Sequence, residues 1–122
     1  VRIDDGEESN VQSVNFCIAN ARYFGGGMMI APDAKLTDGF LDIVNIGAIS
    51  AAKVVARGIT LYRGTHLALD EVDHRLARKV AVAAFDADAE IRLETDGELP
   101  GRLPAVFEVV PNAIRVRVPN IG

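Results

Sequence analysis

Ser50-Ala51-Ala52-Lys53-Val54-Val55-Ala56-Arg57-Gly58-Ile59-Thr60-Leu61-Tyr62-Arg63-Gly64 decides the fold class, because it is the one clear helix in a chain that otherwise reads as strands. Ser50 is a suitable N-cap, apolar residues fall at Val54, Val55, Ile59 and Tyr62, and Gly64 closes the run as a C-cap. Gly58 weakens the centre by about 1 kcal/mol relative to alanine, yet the apolar spacing stays helical. Toward the N-terminus, Phe40–Ile46 is rich in β-branched residues, Gly27–Ala31 is short and apolar, and Val11–Ala19 is apolar and partly alternating. Toward the C-terminus, a second short helical patch falls around Leu69–Leu76, and strands are expected at Lys79–Phe85, Ala89–Glu94, Ala105–Val110 and Ala113–Val118. The last two flank Pro111-Asn112, a turn signal, and so read as a hairpin. Arg115 and Arg117 alternate with Ile114, Val116 and Val118, the pattern of a half-buried strand with one wet face. Many strands around a single helix predict a mainly β fold, an antiparallel β-sandwich-like domain with one inserted helix at about 50–63.

At 122 residues the chain is long enough for one hydrophobic core, and residues 1–122 are expected to form a single domain. A hydrophobic fraction of 49% argues against disorder. The net charge of −4 argues against nucleic acid, whose binders need a basic stripe, and against a polybasic membrane anchor. No apolar run approaches the roughly 18 residues of a spanning helix. The first ten residues are polar and acidic and do not read as a signal peptide. The chain does not open on Met, which fits a piece excised from a longer protein. The single cysteine, Cys17, cannot form an internal disulfide; within the apolar run Val14–Ala19 it reads as buried core filler.

Two Asp-Gly pairs carry the candidate chemistry. Thr95-Asp96-Gly97-Glu98 follows the expected strand Ala89–Glu94. It reads either as an ordinary turn or as a strand end that projects Asp96 into a cleft as a general base, with Glu98 facing a nucleotide or a metal. Phosphorylation of an alcohol needs such a carboxylate within hydrogen-bond reach of the hydroxyl proton. Lys35-Leu36-Thr37-Asp38-Gly39-Phe40 reads either as a turn opening the next strand or as a magnesium loop, since one carboxylate and two carbonyls suffice for a cation that keeps several waters. Asp33 reads as a solvated loop residue, and Asp42, between Leu41 and Ile43, as pointing off the core. Gly25-Gly26-Gly27 is not followed by Lys-Ser/Thr, and Met28-Met29-Ile30 after it reads as a strand rather than a helix, so a P-loop is excluded. The glycines read as a bend allowing close backbone approach. His66 and His74 lack companions at zinc spacing and read as surface or structural residues. No nucleophile elbow supports hydrolase chemistry.

The run Asn20-Ala-Arg-Tyr-Phe-Gly25-Gly26-Gly27-Met-Met-Ile-Ala-Pro32-Asp-Ala34-Lys-Leu-Thr-Asp38-Gly39-Phe-Leu-Asp42, with Asp96-Gly97-Glu98 a domain's length later, resembles the C-terminal domain of the bacterial diacylglycerol kinase-like lipid kinases, a family that includes sphingosine kinases. The resemblance runs from about Val14 to Pro119. It implies that Asp96 is the proton acceptor, that Glu98 lies beside the nucleotide phosphates, and that Mg2+ is held by the Asp38 side chain and the main-chain carbonyls of Lys35 and Phe40. It implies an ATP-dependent transfer of the γ-phosphoryl group to a lipid hydroxyl such as that of diacylglycerol. The ATP would be bound mainly by an N-terminal α/β domain with a Gly-Gly-Asp-Gly-Thr motif, which this sequence lacks. The active site would lie in the cleft between the two domains, and the present residues alone would be inactive. Arg63-Gly64-Thr65-His66 matches the family's Gly-Lys-His stretch with Thr65 where lysine is usual, which puts a basic role there in doubt. A cytoplasmic location with peripheral membrane contact is expected, and edge pairing leaves a homodimer open. The competing reading is a stand-alone β-domain that binds a ligand or partner without catalysis.

Overall fold

A computed structural model describes residues 1–119; the last three residues of the expected domain lie outside the described residues. The strands are β1 (Arg2–Ile3), β2 (Asn15–Ala19), β3 (Leu41–Ile46), β4 (Val72–Ala77), β5 (Lys79–Val82), β6 (Arg92–Thr95), β7 (Glu98–Arg102) and β8 (Ala105–Glu108), with helix α1 at Ala51–Arg63 and a 3-10 turn at His66–Ala68. They form two three-stranded antiparallel sheets, β2-β3-β4 and β1-β5-β8, and a separate β6-β7 hairpin. The expected mainly β, sandwich-like architecture with one inserted helix is what the chain adopts.

β3 lies at the centre and is covered on both faces. Its odd-numbered residues Leu41 and Ile43 join Ala77 and Val80 in one core, with Phe16, Ile18, Val82 and Phe107 packed around them, so this core fills the space between the two sheets. Val44 on the opposite face joins Ala19, Ile30, Ala31 and Ala34 in a second core, closed by Cys17, Ile46, Leu61, Leu67 and Val72. The second core lies between the β2-β3-β4 sheet and a lid made of the 20–40 segment and the C-terminal end of α1. Alternating strand geometry sends successive side chains to the two cores.

α1 starts and stops as its sequence predicts. The Ser50 hydroxyl accepts the Lys53 amide, and Gly64 adopts φ 68° in a left-handed C-cap. Gly64 has a second reason to be glycine: a Cβ there would lie 2.8 Å from Met29 Sδ and 3.1 Å from Pro32 Cβ. The Met29 amide donates to the Leu61 carbonyl, so the lid segment is fastened to this end of the helix.

Several expectations are corrected. The segment around Leu69–Leu76 is not helical: Val72–Ala77 is strand β4, paired residue by residue with β3 from Leu41↔Ala77 to Ile46↔Val72. Val72, His74 and Leu76 recur at period two, and an open edge of β3 rewards that pattern over a short helix. Ala113–Val118 forms no strand and pairs with no partner among the described residues; Asn112 turns at φ 56°, and Ile114, Val116 and Val118 stand exposed. Alternation alone cannot make a strand where no sheet edge accepts its backbone hydrogen bonds. Gly27–Ala31 is reduced to a single Phe24–Met28 bridge, and Val11–Ala19 is a strand only from Asn15.

Candidate functional site

Asp96 sits at the tip of the β6-β7 hairpin. Asp96 (φ 51°) and Gly97 (φ 84°) supply the two positive dihedrals that a two-residue type I′ turn requires, and Thr95 pairs with Glu98 across it. Asp96 and Glu98 are both exposed. The turn reading holds, and the turn is what presents the Asp96 carboxylate to the outside. The hairpin pairs with neither three-stranded sheet, and its far end is held by the Leu103 amide donating to the Ile91 carbonyl and by an Arg102–Glu90 ion pair.

Asp38 lies on the loop that feeds β3. Its Oδ1 accepts the Phe40 amide at 3.0 Å, an Asx turn made possible by Gly39 at φ 76°. The Phe40 ring lies under the Arg78 guanidinium, 5.1 Å from ring centroid to Cζ. The backbone of Arg78 and Lys79 is in turn held by Asp4 Oδ1, which accepts both amides at 2.8 and 2.9 Å. Asp38 and Phe40 are thus brought together and anchored, while Lys35 stays exposed on the same loop. Among the described residues no three His, Cys, Asp or Glu side chains cluster around a metal position. The chemistry is compatible with magnesium: among the described residues Asp38 Oδ1 takes the Phe40 amide and Oδ2 makes no hydrogen bond, and the exposed loop leaves room for the waters this ion retains.

Two open surface depressions lie elsewhere. One of about 350 Å³ is lined by Val1, Arg2, Ala81–Ala83 and Pro104–Val106, and another of about 340 Å³ by Glu90, Arg92, Leu99, Gly101 and Arg102 on the hairpin. Neither contains Asp38 or Asp96.

Two buried polar locks were not foreseen in these forms. Asp42, expected to point off the core, is 2% exposed on the Val44 face, and His74 Nε2 donates to its Oδ1 at 2.7 Å. The correction follows from β3 being covered on both sides: neither face of a central strand is an outside. His66 is equally buried, and its Nε2 donates to the Ile30 carbonyl at 2.8 Å, which ties the lid to the turn after α1. Its Nδ1 is buried with no hydrogen-bond partner among the described residues. Both histidines are structural, one of the two roles their sequence context allowed. Cys17 is half-buried against the second core, and burial pushes its thiol pKa up, away from thiolate reactivity. Glu71 is pulled the opposite way. A hydrogen bond from Lys53 above all, then its own backbone amide and the nearby Arg57 and Lys53 charges, hold its carboxyl below the ordinary 4.5 against an opposing desolvation.

These features can be set beside known proteins. The family described as the YegS C-terminal NAD kinase beta sandwich-like domain matches residues 1–118. A protein named diacylglycerol kinase from Mycobacterium tuberculosis is 34% identical over 119 residues, covering 97% of this chain and 37% of its own length. Proteins of the same name from Staphylococcus saprophyticus and Staphylococcus carnosus are 27% and 28% identical over 121 residues, covering 98% of this chain and 39% of their own. The chain belongs to this family, the C-terminal domain of the diacylglycerol kinase-like lipid kinases. It spans less than two-fifths of the length of the curated relatives it matches.

Proposed function

We propose that these residues form the C-terminal domain of a two-domain, ATP-dependent lipid kinase that transfers the γ-phosphoryl group to a lipid hydroxyl, diacylglycerol being the first candidate. The observation that carries the reading is the similarity to diacylglycerol kinases over nearly the entire chain. Asp96 takes the proton of the attacking hydroxyl, and Glu98, beyond the turn, lies toward the nucleotide. Exposure of both at a hairpin tip supports this, because a carboxylate that acts across an interdomain cleft must project from its own domain. Asp38 and the carbonyls of Lys35 and Phe40 hold Mg2+, whose charge, when bound, fixes the loop in front of β3. An N-terminal domain supplies the ATP phosphate cradle, and the present residues alone do not turn over. The location that follows is cytoplasmic, peripheral to the membrane that holds the substrate.

The test is phosphoryl transfer from labelled ATP by the full-length protein to a panel of lipid alcohols in mixed micelles. Labelled phospholipid is the expected product. ATP binding without transfer to any lipid would point to a non-lipid alcohol, and neither binding nor transfer would leave a binding module whose Asp96-Gly97 is only a turn.

A further inference from the structure

β3 and β4 pair from Ile46↔Val72 to Leu41↔Ala77, and the same register carried one position further sets Phe40 opposite Arg78. Side chains at opposite positions of an antiparallel pair interact. Arg78 is exposed and forms no ion pair among the described residues; its guanidinium lies over the Phe40 ring instead, 5.1 Å from Cζ to the centroid. The Phe40 ring is half-buried and belongs to neither hydrophobic core. Core packing therefore does not hold it, and the arginine is what it stacks on.

Both ends of this clasp are fixed. The Arg78 amide donates to Asp4 Oδ1 at 2.8 Å, the Arg78 carbonyl accepts the Val109 amide at 2.9 Å, and Ala77 and Val80 beside it are fully buried. On the other side the Phe40 amide donates to Asp38 Oδ1 at 3.0 Å. A chain of contacts thus runs from the turn after β1 and the segment after β8, through Arg78 and Phe40, to the Asp38 carboxylate. Two of the three groups assigned above to Mg2+, the Asp38 side chain and the Phe40 carbonyl, lie at its end; Lys35 stands outside it on the exposed loop. Groups behind the ligands of a metal set where those ligands point, and their loss weakens binding. We propose that Arg78 is a positioning residue for the cation loop: by stacking on Phe40 it holds the Phe40 carbonyl and the Asp38 carboxylate in the relative position that Mg2+ requires. The inference rests on the reading of the Asp38 loop as a cation site. A guanidinium near a divalent cation also repels it, which has the opposite sign. The ring separates the two effects, because positioning passes through Phe40 and repulsion does not.

The experiment titrates Mn2+, a magnesium surrogate whose free form is seen by electron paramagnetic resonance, into the full-length protein without nucleotide, with Mg2+ as competitor. Asp38→Ala identifies the part of the binding that belongs to the loop. Arg78→Met, which keeps an aliphatic stem and removes the guanidinium, should weaken that part about two- to fivefold, the size an exposed cation–π contact allows. Phe40→Leu, which keeps the main-chain carbonyl, should weaken it comparably, and adding Arg78→Met to Phe40→Leu should change nothing more. Melting in EDTA gives the separate readout: a residue that only supported the fold would lower the metal-free melting temperature and leave the affinity of the folded protein unchanged. Unchanged or tighter binding in Arg78→Met, or the same loss with and without the Phe40 ring, would overturn the assignment. Binding that Asp38→Ala leaves intact would remove the metal loop and the positioning role together; binding lost in Asp38→Ala yet indifferent to Arg78→Met would remove the positioning role alone. No arm depends on turnover, so the kinase reading stands or falls separately on the transfer assay.

Discussion

Asp96 occupies a left-handed position, φ 51°, that asparagine tolerates as readily as aspartate. Asp96→Asn in the full-length protein should therefore keep the hairpin and lower turnover by about 10²–10⁴-fold, the usual worth of a general base. Wild-type turnover in that variant would remove Asp96 from the base role. Asp38 acts through two contacts, the Asx turn to Phe40 and the proposed cation. Asp38→Ala should abolish the rise in melting temperature that Mg2+ gives the parent; the same magnesium-dependent rise in both proteins would discard the metal loop. Gly64 combines a positive φ with a Cβ position already filled by Met29 and Pro32. Gly64→Ala should cost about 2 kcal/mol in urea unfolding, part from the left-handed backbone and part from moving the lid. The Asp-Gly pairs were legible as turns from their residue types alone. The burial of Asp42 was not, because a single strand's alternation does not say which of its faces will be covered.

At the scale of elements, α1 was legible from cap to cap, since capping and the 3.6-residue period are local. β4 was not: its pairing partner β3 is about thirty residues away, and within six residues its apolar positions suit either period. α1 and β4 meet through the Lys53–Arg57–Glu71 cluster, with Glu71 preceding β4. The folded pKa of Glu71 is depressed, so its contribution to stability is present above the ordinary 4.5 and is lost as pH falls through the lower folded value. Glu71→Gln should flatten the loss of stability below about pH 4.5 while changing it little at pH 7 beyond the cluster's small surface contribution, as thermal melts across the acid range would show. A variant as acid-sensitive as the parent would assign that loss to other carboxylates.

At the scale of the molecule, β3 is the shared wall of two cores, and Val44 is fully buried on its lid side. Val44→Ala should destabilise by about 2–3 kcal/mol, while Val55→Ala on the outward helix face should change stability by under about 0.5 kcal/mol. Equal effects in denaturant titrations would contradict the two-core arrangement. The tail from Val110 to Val118 shows the complementary case: it has strand-like alternation and yet four exposed apolar residues, because no edge among the described residues takes it up. What the sequence determined by itself was therefore local or motif-borne. The helix with its caps, the Asp-Gly turns, the mainly β class and the family resemblance all rest on residues within a few positions of one another or on a spaced pattern. Only the tertiary structure decided that Asp42 and His74 pair in the interior, that His66 pins the lid at Ile30, and that the apolar stripe of α1 faces outward. Those outcomes depend on which distant strand lies alongside and which face a neighbour covers, and periodicity carries neither.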